Sequence, residues 1–95
     1  MMTRKDHLLV ILAEECAEVS QVVAKYLRFG GGDVAPNAIT TNAEHLDLEL
    51  MELMAMVEML LEEGMLRNQS RETRALHIAD KKRRGNTVAS LSPSV

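Results

Sequence analysis

Two carboxylate clusters, each set inside an apolar helical run, constrain this chain more than any other feature: Glu14-Glu15-Cys16-Ala17-Glu18 and Glu49-Leu50-Met51-Glu52. Within each, acids three residues apart rise from one helix face about a turn apart, close enough to share a hard divalent cation. A carboxylate among apolar side chains needs a metal, a cationic partner or exposure, because an uncompensated charge is costly to bury. Either cluster alone is an ordinary solvated helix face. Two of them on apolar helices point to an oxygen-donor metal site, and magnesium is the ion that fits.

The sequence predicts a helix over 3–28, a loop over 29–42, a helix over 43–63, a turn at Gly64 and a shorter helix over 70–84, with no segment alternating like a strand. Thr3 caps the first helix with Asp6 or Lys5 in its first turn, and Gly30-Gly31-Gly32 ends it. Asn42 is the expected cap of the second helix, with His45 where a capping box has Glu, and Ser70 with Thr73 caps the third. At about 100° per residue, Leu8, Leu12, Val19, Val22, Val23 and Tyr26 form one stripe of the first helix, and Glu15 falls inside it. Glu18 projects at the stripe's edge, while Glu14, Gln21 and Lys25 point toward the polar side. The second helix carries two apolar stripes, Leu46-Leu50-Leu53-Val57-Leu60-Leu61 and Leu48-Met51-Ala55-Met59. Between them run two polar strips: Asp47, Glu58 and Glu62 on one, and Glu49, Glu52 and Glu63, beside Met56, on the other. One strip is expected to meet solvent and the other a site, and a helix so apolar belongs in a bundle core or at a subunit interface.

Ninety-five residues, 46% of them hydrophobic, make one small domain whose isolated core is modest, so oligomerisation is expected. The helical domain is placed at 1–84. The tail 85–95, small, polar and containing Pro93, has little to offset its ordering entropy and is expected to be flexible. A net charge of -3 argues against a generally nucleic-acid-binding surface. The run Lys81-Lys82-Arg83-Arg84 reads better as a solvated helix terminus or a phosphate-facing group than as a polynucleotide contact. A lone Cys16 rules out an internal disulfide and fits a reducing cytoplasm. No signal peptide is evident, and four acids within Leu46–Leu61 exclude that run as a membrane span.

EECAEVSQ, a glycine-containing loop and then ExxE in a long helix resemble the MazG-like all-α nucleoside triphosphate pyrophosphohydrolases, whose hallmark is EExxE followed by ExxD. The likeness runs from Leu8 to Leu61 and is nearest the short single-domain forms of phages and prophages; KYLRFG also looks like those forms. The resemblance implies an antiparallel all-α bundle completed as a homodimer or homotetramer. It also implies a magnesium cofactor, replaceable by manganese, and hydrolysis of an NTP or dNTP to nucleoside monophosphate and pyrophosphate by metal-activated water. By position, Glu15, Glu18, Glu49 and Glu52 would be metal ligands, and Glu14 would support them or help position water. Lys25 and Arg28 could approach phosphate, although cations near a helix C-terminus also suit its dipole. Lys81 and Lys82 match a basic stretch of the family's last helix.

The chain departs from the pattern in two places. Glu52 stands where the family has Asp, adding one methylene to a ligand, and 30 residues separate Glu18 from Glu49, a long gap that a lengthened loop absorbs. The alternative expectation is therefore a catalytically weakened homologue serving as a nucleotide-binding or helical interaction module. His7, His45 and His77 share no ligand spacing and read as surface or capping residues. Met51, Met54, Met56 and Met59 read as bundle packing, Tyr26 as packed, and Phe29 as the more open aromatic. Asn37 and Asn42 read as turn formers before base readers.

Overall fold

Thr3 begins the first helix by a reciprocal pair of hydrogen bonds: its Oγ1 accepts from the Asp6 N–H (3.1 Å) and the Asp6 carboxylate accepts from the Thr3 N–H (3.0 Å). Helix α1 then runs Arg4–Phe29, α2 Asn42–Glu62 and α3 Arg71–Gly85 in a computed structural model that describes residues 1–67 and 69–87. The all-α class agrees with the sequence. Among the described residues the only extended pairing is an isolated antiparallel bridge between Val34 and Thr41. No helix there is long and apolar enough to cross a membrane. The expected flexible tail lies outside the described residues from position 88 onward.

Each helix ends or starts for a local reason. Gly30 closes α1 at φ 93°, donating its N–H to Tyr26 O (2.8 Å), a backbone conformation that side chains disfavour. The Tyr26 ring then lies over Gly31, where a Cβ would meet the ring at 2.6 Å. The α2 cap differs from expectation. Thr41, not Asn42, is the cap, and Glu44 completes a full capping box with both bonds at 3.1 Å. Asn42 is buried instead, and its side-chain amide donates to Gly30 O (3.0 Å) while its backbone N–H donates to Asp33 O (2.8 Å). It ties the start of α2 to the end of α1. Asn37 makes a turn at φ 66°, the left-handed region asparagine tolerates. Ser70 caps α3 by accepting from the Thr73 N–H (3.1 Å).

α1 and α2 pack together as an antiparallel pair, with Arg4 opposite Glu63 at one end and Val22 near His45 toward the other. Leu8, Met56 and Leu60 form the buried cluster, with Ile11, Leu12, Met59 and Met65 packed around it. The face of α2 turned to α1 is thus the strip of Glu49, Glu52 and Glu63 beside Met56, and much of both apolar stripes lies outward: Leu48, Leu50, Met51, Val57 and Leu61 are exposed. Met56 alone of the four helical methionines is fully buried, and Met54 is 64% exposed. On α1, Leu8 and Val22 are buried as the stripe predicts, whereas Val23 and Tyr26 remain partly open. α3 packs against neither α1 nor α2 and buries no residue.

Candidate metal centre

The antiparallel register places Glu15 against Glu52 and Glu18 against Glu49, so the carboxylate pair on α1 meets the pair on α2. One carboxylate oxygen from each of Glu15, Glu18, Glu49 and Glu52 lies within 4.8 Å of the others. Glu15 sits within the apolar stripe and is half-buried; Glu18 and Glu52 are more open. The longer Glu52 side chain reaches the group despite its added methylene.

Two oxygens in this cluster, Glu15 Oε2 and Glu49 Oε2, are buried with no hydrogen-bond partner. Buried acceptors are normally satisfied, so this pair of oxygens is an exception among the described residues. Desolvation first, then the charges of Glu18 and Glu52, push the Glu15 carboxyl above its ordinary value. Glu49 is raised in the same sense, by burial and then by the adjoining Glu18, with His45 opposing. Shared protons or a cation would relieve the repulsion.

Beside the cluster opens a cleft of about 290 Å³ lined by Glu18, Gln21, Val22, Lys25, His45 and Glu49. Lys25 therefore shares a cavity wall with two of the acids. Within the cleft, His45 Nε2 lies 3.2 Å from Glu49 Oε1, one turn away on α2. Neither a helix cap nor a detached surface group, His45 contacts the cluster directly. The sequence held a signal for it that ligand spacing missed: four residues before Glu49, it shares that acid's helix face. Gln21, three residues after Glu18, enters by the same logic.

Other candidates lie elsewhere. Glu14 is exposed and outside the four-acid group, on the polar side that its helical position predicts. The Arg28 guanidinium stacks 5.1 Å from the centroid of the Phe29 ring and does not line the cleft, so the more open aromatic is itself covered by a cation. Lys81 and Lys82 are exposed on α3, apart from the helix pair. No protein-family model matches the chain, and neither a curated protein nor a solved structure matches it.

Proposed function

We propose that this chain is a magnesium-dependent nucleoside triphosphate pyrophosphohydrolase, cleaving an NTP or dNTP to nucleoside monophosphate and pyrophosphate. The observation that carries the proposal is the convergence of four carboxylates from two helices, two of their oxygens buried and unpartnered. An all-oxygen, all-carboxylate donor set suits magnesium or manganese rather than a thiolate- or imidazole-seeking metal. Glu15, Glu18, Glu49 and Glu52 would hold the ion. Bound there, the ion would neutralise phosphate charge and lower the pKa of the attacking water.

Lys25, on the cleft wall, offers an ammonium to the polyanionic end of a substrate entering beside Glu18 and Glu49. Val22 gives that wall an apolar floor, and Gln21 offers an amide that can donate or accept. Glu14, Arg28, Lys81 and Lys82 do not line this cleft. The likeness of EECAEVSQ and ExxE to MazG-like enzymes supports the same reaction.

A homo-oligomer belongs to this proposal. Among the described residues only Leu8, Val22, Met56 and Leu60 form the buried apolar core. The radius of gyration is 16.6 Å, against about 12 Å for a compact chain of this length. Light scattering on the purified chain should give a dimer or tetramer.

Pyrophosphate release from a panel of nucleoside triphosphates, with and without magnesium, tests the reaction. Metal-dependent release that collapses in Glu15→Gln supports it; a folded wild type that hydrolyses none of them overturns it. Glu52 in place of the family's Asp favours a second reading, a weakened homologue that binds nucleotide without turning it over. Turnover gained only in Glu52→Asp would identify that case.

A further inference from the structure

We infer that His45 is a positioning residue for the cation site, its Nε2–H holding one oxygen of Glu49 so that the other stays free for the metal. The inference rests on the metal reading of the four-acid cluster. Among the described residues, Glu49 is the one member of that cluster with a side-chain hydrogen bond to a non-carboxylate group, His45 Nε2 to Oε1 at 3.2 Å. Its second oxygen, Oε2, is buried and has no hydrogen-bond partner. The two oxygens of one carboxylate are thus divided: one is anchored and the other is left unsatisfied beside three acids.

The anchoring has a geometric reason. An ionised carboxylate only accepts hydrogen bonds, so the imidazole nitrogen facing it must be the donor. His45 precedes Glu49 by one helical turn, and both side chains stand on the α2 face turned to α1. Glu49 is 12% exposed and His45 37%, so the carboxylate sits deeper than the ring. Left alone among like charges, Glu49 would swing toward water by rotating about its side-chain bonds. A hydrogen bond from the ring opposes that rotation before any ion arrives. Outer groups that orient metal-binding carboxylates this way are worth ten- to a hundredfold in metal affinity, on the order established for such contacts.

Calorimetric titration of the full chain with manganese and with magnesium tests this, using wild type, His45→Leu and His45→Gln. The leucine fills the space without a donor; the glutamine amide can donate from a similar reach. Circular dichroism of each ion-free variant verifies the helices. The expected result is an ion affinity about ten- to a hundredfold weaker in His45→Leu, largely restored in His45→Gln, with helix content unchanged. Wild-type affinity in His45→Leu, or an equal loss in both variants, overturns the positioning role while leaving the metal site standing. If the wild type itself binds neither ion, the metal site and this inference fall together. Should His45→Leu not fold, His45→Ala replaces it as the variant without a donor, and the same comparison with His45→Gln decides: weaker binding in the alanine variant that the glutamine restores is expected, and wild-type affinity in the alanine variant overturns the role.

Discussion

The two halves of the α1–α2 interface are built from opposite chemistry. Where α1 begins and α2 ends, Leu8, Met56 and Leu60 are buried against one another, and Glu63 beside them is met by Arg4 at 2.7 Å. About two turns along the same interface, Glu15 and Glu18 face Glu49 and Glu52, and among the described residues no lysine or arginine forms an ion pair with any of the four. The first half stabilises the pair by removing apolar surface from water. The second half opposes association until its charge is compensated. The apolar half therefore carries the stability of the pair, and the acidic half detracts from it.

Breaking the apolar half should have the largest effect. Leu8 is 1% exposed and Leu60 2%, so Leu8→Ala or Leu60→Ala should cost about 2–5 kcal/mol as the cavity fails to collapse. Urea unfolding in the presence of a chelator measures it. A loss below about 1 kcal/mol, well under that range, would mean that stability resides elsewhere, most simply in contacts between copies.

The acidic half should respond with the opposite sign. In chelator, Glu49→Gln removes a raised, crowded carboxyl and should increase the melting temperature. With magnesium at a hundred times its Kd, wild type should gain about 2.7 kcal/mol, and Glu49→Gln should gain much less. The pH dependence separates the halves further. Glu15 and Glu49 have raised values, so they bind more protons folded than unfolded. Their favourable contribution is complete below the ordinary carboxylate value and is lost as pH climbs through the raised ones. Asp6 and Glu44 are lowered by hydrogen bonds from the Thr3 and Thr41 caps, so their contribution is present above the ordinary value and lost as pH falls through the lowered ones. Ion-free wild type should therefore weaken as pH rises out of the acid range, and the doubly substituted Glu15→Gln, Glu49→Gln chain should lose that weakening. Melts recorded across the carboxylate range in chelator decide it.

Much of this contrast was legible in the sequence, because helical periodicity alone put Glu15 inside the stripe of Leu8 and Val22. The three-residue spacing of the acids likewise fixed which of them share a face. The inward face of α2 was harder to read. Its apolar residues outnumber what one partner helix can cover, so patterning marked two stripes as buried, whereas the strip of Glu49, Glu52 and Met56 is the one against α1. Register decided this, and register depends on how α1 and α2 meet across the loop. The loop's own device was hidden for a similar reason. Thr41 and Asn42 are both good caps, and only the fold shows that Asn42 is taken by Gly30 O, leaving Thr41 to cap with Glu44. The contact between His45 and Glu49 was within reach of a one-turn spacing rule.

That division of labour between Thr41 and Asn42 belongs to the acidic half, since it fixes where α2 begins and therefore where Glu49 and Glu52 fall. Thr41→Ala should cost about 1 kcal/mol, the usual value of a helix cap. The loss should appear equally with and without magnesium if the cap acts only on the helix. A larger loss in magnesium than in chelator would mean that the cap also sets the register of the acids, and would sharpen the contrast.

The smallest effect should come from the ion pair at the apolar end. Arg4 and Glu63 are joined at 2.7 Å, but their side chains are 63% and 30% exposed, and pairs so open to water contribute only about 0–1 kcal/mol. Arg4→Met should therefore shift stability by less than about 1 kcal/mol, and added salt should shrink even that. Glu63 lies on the same strip of α2 as Glu49 and Glu52, so Arg4 is the cation that the chain itself supplies to an acid on this face. If Arg4→Met destabilised the chain as much as Leu8→Ala, the apolar half would be held by charge as well, and the difference between the two halves would reduce to which acids have a built-in partner.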